Sequence, residues 1–346
     1  LSRGLGDVYK RQNIIMAVSI EDIKKLRAMT GAGLADVKKA LTEAEGDFDK
    51  AKELLRERGL AIAAKRSDRE TSNGCVLVKK VNDFAAIIAL KCETDFVANG
   101  ADFIKLTSDI LDAAIAAKAH TLDEVKTLKV GDADAQAAVT QRSGITGEKM
   151  ELDGYCVLEG DNIEVYDHMN KHTLCTMVQL NENNEEAGHK VAMQVAAMRP
   201  VALDESSVSE ETKKTELEVA VAKTKEELVE KAVNAALKKA GINPAHVDSE
   251  EHIESNTKKG WLTPEQAEEA RNIKKTVGEE KAATLNPTMI QNIANGRLAK
   301  FFKENCLVDQ EFQFGDGDKQ TVAQYLASQS KDLKIVAYQR FTLAAE

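Results

Sequence analysis

Along residues 19–66 the apolar positions recur at helical spacing in three short runs. Ile20, Ile23 and Leu26 mark the first run. Leu34, Val37, Ala40 and Leu41 mark the second, over about 34–44. Ala51, Leu54 and Leu55 mark the third, over about 48–58, and Gly59 is expected to stop it. Thr30-Gly31-Ala32-Gly33 and Gly46-Asp47 separate the runs. Ser19 suits an N-cap, and Asp22 three positions on makes a variant of the capping box. The pattern predicts a compact bundle of three helices, then a charged linker with helical character over 58–71.

The period then shortens to that of a strand. Residues 75–78 and 85–90 are β-type runs, with Asn82-Asp83 as the turn between them. An amphipathic helix comes next over about 101–119, carrying Phe103, Leu106, Ile110, Leu111, Ala114 and Ile115. Residues 120–150 are weakly patterned and interrupted by glycine. A second block has strand-like runs at 155–158, 163–166 and 174–180, then a helix over about 186–198. Arg199-Pro200 ends that helix, because proline removes a backbone donor and clashes with the preceding turn. Strand, strand, helix is thus roughly repeated. The fold class expected is α+β, with two related subdomains, each carrying helices on one face of an antiparallel sheet. The bundle ahead of them is of the ubiquitin-associated kind, a small protein-docking unit.

Between 206 and 285 charge is dense and aromatic residues are nearly absent. Leu217, Val221, Leu228, Ala232 and Ala235 fall at spacings of 4, 7, 4 and 3, close to a coiled-coil seam. Gly241-Ile242-Asn243-Pro244 ends this helix. Thr263-Pro264-Glu265 begins another, an N-cap followed by proline in the first turn, with Ala267, Ala270, Ile273 and Val277 behind it. The two helices predict an inserted antiparallel coiled-coil hairpin projecting from the core. Such arms serve partner contact or homodimerisation, and the pattern does not separate these from a solvated pair without a partner. After Asn286-Pro287 a helix carries Ile290, Ile293, Ala294, Leu298 and Phe301. Further strand and helix are expected from Glu311-Phe312-Gln313-Phe314, a turn at Gly315-Asp316-Gly317-Asp318, a short helix around 322–326 and a strand at 335–338. The organisation expected is a non-native or disordered leader at 1–15, since Met16-Ala17-Val18-Ser19 looks like the true start. The docking domain and linker occupy 16–70, and one core subdomain 71–150. The other takes 151–205 with 286–346, and the hairpin is inserted at 206–285.

Composition narrows the function classes. A chain of 346 residues has room for two or three domains. Hydrophobic residues make up 43% and aromatic ones 4%, an aliphatic balance that favours helices. A formal net charge of −10 argues against direct nucleic-acid binding, which needs clustered positive charge. The five cysteines form no Cys-x-x-Cys pair, and several lie in apolar runs, so they read as small buried hydrophobes in a reducing cytosol. No apolar stretch reaches about 18 residues and no secretory signal opens the chain, so the expectation is a cytoplasmic protein without a membrane partner.

Candidate chemistry concentrates in Lys91-Cys92-Glu93-Thr94-Asp95-Phe96-Val97-Ala98-Asn99, where a strand gives way to a helix. A carboxylate and a large aromatic stand side by side at the junction. Exposed, Asp95 and Phe96 suit a probe that enters a partner. In the other reading Thr94 or Asp95 caps the helix and Phe96 packs inward. Gly144-Ile145-Thr146-Gly147-Glu148-Lys149 lacks the spacing and the terminal hydroxyl of a phosphate-cradling loop, so the chain is not expected to hydrolyse a nucleotide. No Gly-x-Ser-x-Gly elbow is present. His168, His172 and Cys175 form a metal-like cluster, but a turn at Asn170-Lys171 keeps the two imidazoles off a shared helical face. His120, His189, His246 and His252 lie in polar contexts and look solvated. No cofactor or metal is expected, and an interaction protein without covalent chemistry fits better than an enzyme.

Three stretches resemble the bacterial translation elongation factor Ts family. The first is Leu26-Arg27-Ala28-Met29-Thr30-Gly31-Ala32-Gly33-Leu34-Ala35-Asp36-Val37-Lys38-Lys39-Ala40-Leu41. The second is Cys92-Glu93-Thr94-Asp95-Phe96-Val97-Ala98, and the third is the weaker Ala192-Met193-Gln194-Val195-Ala196-Ala197. The resemblance covers about 19–200 and resumes near 297–341. It implies an exchange factor that binds elongation factor Tu and promotes GDP release by disturbing its magnesium and phosphate site. Asp95 and Phe96, with Thr94 and Val97 beside them, match the pair that enters the nucleotide-binding domain. Thr146 and Gly147 match the loop that presses on the phosphate-binding loop, and His168 matches another partner contact. Leu34 and Lys38 match the docking residues of the bundle. Gln313 falls where an apolar contact of the family lies. The hairpin looks longer than in familiar members, and a C-terminal helix that some members add is not expected here. The competing class is a ubiquitin-associated-type docking module without exchange activity.

Overall fold

The structure, a computed structural model, describes residues 18–30, 32–315, 317 and 319–344. The leader expected at 1–15 lies outside the described residues, as do Gly31, Asp316 and Asp318 of the two expected breaks. The chain divides into two units, Leu1–Arg199 with Phe312–Glu346, and Pro200–Glu311. Among the described residues no helix is long and apolar enough to cross a membrane.

The bundle forms from α1 (Ile20–Thr30), α2 (Leu34–Glu43) and α3 (Phe48–Lys65). Ser19 and Asp22 close the expected capping box: the Ser19 N–H donates to the Asp22 carboxylate at 3.2 Å, and the Asp22 N–H to the Ser19 hydroxyl at 2.9 Å. Ile23, Leu26, Val37, Ala40, Leu41 and Ala51 make the core. Ile20 and Leu34, the first apolar positions of their two runs, are 72% and 56% exposed. The inner stripe of α2 centres on Val37, so Leu34 and Lys38, one turn apart, stand together at its outer edge. Gly59 does not stop α3, which runs on to Lys65. Its function is close approach: α3 crosses a later helix there, and a Cβ on Gly144 would lie 2.1 Å from the Gly59 Cα.

The first sheet is antiparallel with order β1-β2-β5. Its strands are β1 (Asn73–Val81), β2 (Phe84–Cys92) and β5 (Met150–Glu159). Asn82 takes the left-handed conformation (φ 54°) in the β1–β2 turn, a conformation that asparagine tolerates. Between β2 and β5 come α4 (Asp95–Ala98), α5 (Ala101–Ala116), α6 (Leu122–Thr127), a small hairpin of β3 (Lys129–Val130) and β4 (Ala133–Asp134), and α7 (Ala135–Thr146). The run at 155–158, grouped by pattern with the second block, pairs with β2 instead. The second sheet, β6-β7-β8, is also antiparallel. It joins β6 (Ile163–Asp167), β7 (Leu174–Leu180) and β8 (Ile335–Thr342), with α8 (Glu185–Met198) packed on β6 and β7.

Every residue of β2 from Phe84 to Leu90 is buried. Phe84, Ala86, Ile88 and Leu90 share a core with Phe103, Ile110 and Val139. Ala85, Ile87 and Ala89 share another with Ile163, Cys175 and Met177 of the second sheet. An unbroken apolar run, rather than alternation, is what a strand covered on both faces requires.

The second unit holds α9 (Glu210–Lys239), α10 (Glu250–Lys258), α11 (Pro264–Ala283) and α12 (Pro287–Asn305). Val233 and Leu237 near the end of α9 meet Ala267 and Ala270 near the start of α11, so the hairpin is antiparallel as expected. The buried stripe of α9 is Ala220, Thr224, Val233 and Leu237, and Ala235 of the expected seam is exposed. The cause is that α9 packs against both α11 and α12, a wider face than a two-helix seam covers. Thus α12, grouped by pattern with the last strands, lies against α9. The segment from Glu311 to Phe314 yields no strand: Phe312, in the first unit, stacks on Tyr325 of α13 (Val322–Gln329), ring centroids 4.0 Å apart.

The crossing of α3 and α7 predicts opposite outcomes at its two glycines. Gly144→Ala drives a Cβ into backbone and should destabilise the protein by about 1–3 kcal/mol. In Gly59→Ala the new Cβ lies 3.4 Å from the Gly144 Cα, an ordinary contact. The helix then gains about 0.5–1 kcal/mol, so this variant should be neutral or stabilised. Urea unfolding of both variants checks the pair.

Candidate functional site

At the end of β2 the chain turns sharply. Thr94 is extended (φ −120°, ψ 153°), and its hydroxyl accepts the Val97 N–H at 3.3 Å as the N-cap of α4. The Asn99 side-chain amide donates to the Asp95 carbonyl at 2.8 Å and closes the far end. The Cys92 thiol donates to the Thr94 carbonyl at 3.2 Å from beneath, and burial pushes that thiol up to about 12. Ala98 is buried and Val97 packs on the core, which leaves Asp95 and Phe96 outward. Phe96 is 86% exposed. The capping half of the inward reading therefore holds at Thr94, and the half that buries Phe96 does not.

Two carboxylates clasp this junction to the loop between α7 and β5. Glu148 Oε1 accepts the Thr94 hydroxyl at 2.6 Å and its Oε2 accepts the Thr94 N–H at 3.1 Å. In return, Glu93 Oε1 accepts the Lys149 N–H at 2.7 Å. Arg66 and Arg69, just beyond α3, pair with the same Glu93 at 3.0 and 3.1 Å. Burial raises the Glu93 carboxyl, but the Lys149 N–H and the two guanidinium groups outweigh it and hold the group below its ordinary range. Gly147 ends α7 in the left-handed conformation (φ 73°), which glycine adopts without strain. The Ser143 hydroxyl donates to the Glu148 carbonyl at 2.5 Å, and the Glu148 N–H donates to Thr146 Oγ1 at 3.3 Å. Thr146 and Gly147 are thereby fastened, through Glu148, to Thr94.

A third element reaches the same region. Asp95 and Asn99 line a cleft of about 300 Å³ together with Lys171 and His172 of the β6–β7 turn. The His172 carbonyl accepts the Val76 N–H at 2.6 Å, which ties the turn to β1. The imidazole of His172 is 2.5 Å from Asp167, whereas His168 Nδ1 lies 3.2 Å from the Tyr166 hydroxyl. The buried Cys175 thiol donates to the Val76 carbonyl at 3.4 Å, and burial raises its pKa. These three side chains serve different partners, and among the described residues no group of three or more His, Cys, Asp or Glu is placed to hold a metal. Leu34 and Lys38 stand exposed on α2. Gln313 is exposed, and its N–H donates to the Gln194 side chain at 3.0 Å.

The pattern did not single out Glu93, Glu148, Arg66, Arg69 or Met169. Met169 is 65% exposed beside His168, in the left-handed conformation (φ 57°). A bulky residue there is an outlier, and an apolar side chain amid His168, Asn170 and Lys171 was a readable signal. The clasp has no such signal, because its partners lie 54 and 56 positions apart.

A family model described as Elongation factor TS matches residues 93–345 of this chain. The chain is similar to Elongation factor Ts of Bacteroides fragilis, 62% identical over 332 residues, which cover 96% of this chain and 100% of that protein. Elongation factor Ts of Parabacteroides distasonis is 60% identical over 331 residues, with the same shares of 96% and 100%. Elongation factor Ts of Porphyromonas gingivalis is 39% identical over 333 residues, again 96% and 100%.

The clasp makes stability depend on pH in a definite sense. Glu93 is depressed below its ordinary 4.5, so its contribution is complete above that value and is lost as pH falls through the folded-state value. Glu93→Gln should therefore lower stability at neutral pH, by about 1–2 kcal/mol for weakened charged hydrogen bonds partly open to solvent. The gap from the parent protein should close as pH drops below 4.5. Thermal unfolding of both proteins from pH 7 to pH 3 checks the prediction.

Proposed function

The chain belongs to the elongation factor Ts family, and we propose that it acts as the guanine-nucleotide exchange factor of elongation factor Tu in the cytoplasm. The observation that carries this reading is Phe96, 86% exposed at the end of a buried strand with Asp95 beside it. Leaving a large aromatic in water forgoes about 1.5–3 kcal/mol of burial, so its exposure on a rigid junction argues for a partner that covers it. In this reading Phe96 wedges between helices of the nucleotide-binding domain near the magnesium site. Asp95 disturbs the groups that organise the magnesium, and Thr94 and Val97 hold the pair in place. Thr146 and Gly147 press on the phosphate-binding loop, and His168 adds a contact from the β6–β7 turn. Leu34 and Lys38 dock through the bundle, and Gln313, bonded to Gln194 of α8, adds a further contact.

Exchange of this kind needs no covalent step. A factor that binds the nucleotide-free state more tightly than the nucleotide-bound state must weaken nucleotide binding by the same coupling. Each ~1.4 kcal/mol of coupling weakens nucleotide affinity about tenfold, and several wedges on rigid elements supply several such steps.

Stopped-flow release of a fluorescent GDP from elongation factor Tu tests the reading. The protein should accelerate release, and no acceleration would leave a docking module without exchange activity. Phe96→Ala should slow release by about tenfold or more, yet shift unfolding free energy by less than about 0.5 kcal/mol, as for other exposed positions. A variant that unfolds instead would make Phe96 a support of the fold.

A further inference from the structure

We infer that Glu148 is a positioning residue for nucleotide exchange: it supplies, from another part of the chain, the half of a capping box that α4 lacks, and so fixes where Asp95 and Phe96 point. The inference rests on the exchange reading above.

A capping box has two halves. The N-cap hydroxyl accepts the N–H of the third helical residue, and the Glu or Gln side chain of that residue takes the N-cap N–H. Thr121 with Glu124, Thr263 with Gln266 and Thr321 with Gln324 each close both halves locally. Thr94 makes the first half with Val97. Val97 cannot make the second, because its side chain is apolar and packs on the core. Glu148 takes that place, accepting both the N–H and the hydroxyl of Thr94.

The helix it secures cannot secure itself. At four residues, α4 is far below the ~12–15 residues at which an isolated helix becomes marginal in water. Phe96 is 86% exposed and has little surface of its own to pack against. Its direction depends on the ends of α4: Asn99 at one end, and Thr94 with Glu148 at the other. Glu148 is in turn fixed by Ser143 and Thr146, and the Glu93–Lys149 bond doubles the link. The probe and the Thr146-Gly147 loop therefore move as one piece. Without Glu148 the remaining contacts still dock the partner, but the wedge is in position for only part of the time.

The test uses the full chain and steady-state exchange on the complex of elongation factor Tu with fluorescent GDP. Glu148→Ala and Thr94→Val should each lower kcat about tenfold, the scale of lost charged hydrogen bonds, with KM within about twofold. The double variant should be slower than either single but by less than the product of the two losses, since both remove the bond between Glu148 and the Thr94 hydroxyl while each also removes one bond of its own. Glu148→Gln, which keeps one acceptor oxygen, should recover part of the loss. In the free protein, amide hydrogen exchange at Thr94 and at residues 97–99, whose N–H groups are bonded at this junction, should quicken in Glu148→Ala while residues 87–89 stay protected. An unchanged kcat would overturn the inference. So would a rise in KM alone, which would make Glu148 a partner contact, or losses that multiply in the double variant. A parent protein that fails to release nucleotide overturns the exchange reading itself, and the amide measurement then still decides whether Glu148 holds α4.

Discussion

Strand β2 is covered on both faces, and the placement of everything around it depends on that burial. Phe84, Ile88 and Leu90 point into one core and Ile87 into the other. Full burial of such side chains is worth about 1.5–3 kcal/mol each, so these four alone contribute roughly 6–12 kcal/mol as an upper bound. Neither core can shift relative to the other without uncovering this strand. Its register with β1 and β5 is fixed for the same reason, since a slip by one residue would exchange the two sets of side chains. The point at which Cys92, Glu93 and Thr94 leave the sheet is therefore set by the most buried part of the molecule.

That rigidity gives meaning to the junction beyond it. Within four residues the chain passes from the buried Cys92 to an aromatic that is almost fully exposed. Folding alone does not favour Phe96 there, and local rules broken without local compensation tend to mark functional positions. The surrounding groups are spent on holding the backbone: a thiol beneath the Thr94 carbonyl, two carboxylates exchanging backbone N–H groups, and two arginines that neutralise Glu93. The arginines come directly after α3, so the bundle is tied into the same network as the probe.

Much of this was legible in the sequence where one physical factor acts alone. The apolar run of β2, the Ser19–Asp22 box and the Arg199-Pro200 stop are readable because periodicity or backbone chemistry decides them locally. Gly59 misleads because glycine has two uses. The same residue that breaks a helix also lets two helices touch, and only the partner at Gly144 tells which applies. The seam of α9 drifts because a second helix widens the buried face, and β5 falls in the other sheet because strand pairing is not a local property. At the site, Thr94, Asp95 and Phe96 are visible as a cap beside a carboxylate and an aromatic. Whether Phe96 faces in or out is not, since that depends on Val97 and Ala98 filling the core instead.

The clasp explains why stiffness and exposure occur together here. A wedge transmits strain to a partner only if its base yields less than the structure it enters. A flexible loop bearing the same Asp-Phe pair would be ordered on docking, and that ordering would consume part of the binding free energy, about 0.5–1.5 kcal/mol per immobilised side chain. In this chain Asp95 and Phe96 are set in their directions beforehand by β2, by Thr94 and by Glu148. Under the proposed exchange function, the free energy of contact is then available for displacing groups in the partner rather than for ordering the probe. In the exchange reading proposed above, coupling between partner binding and nucleotide release is thereby traceable to a strand buried from Phe84 to Leu90.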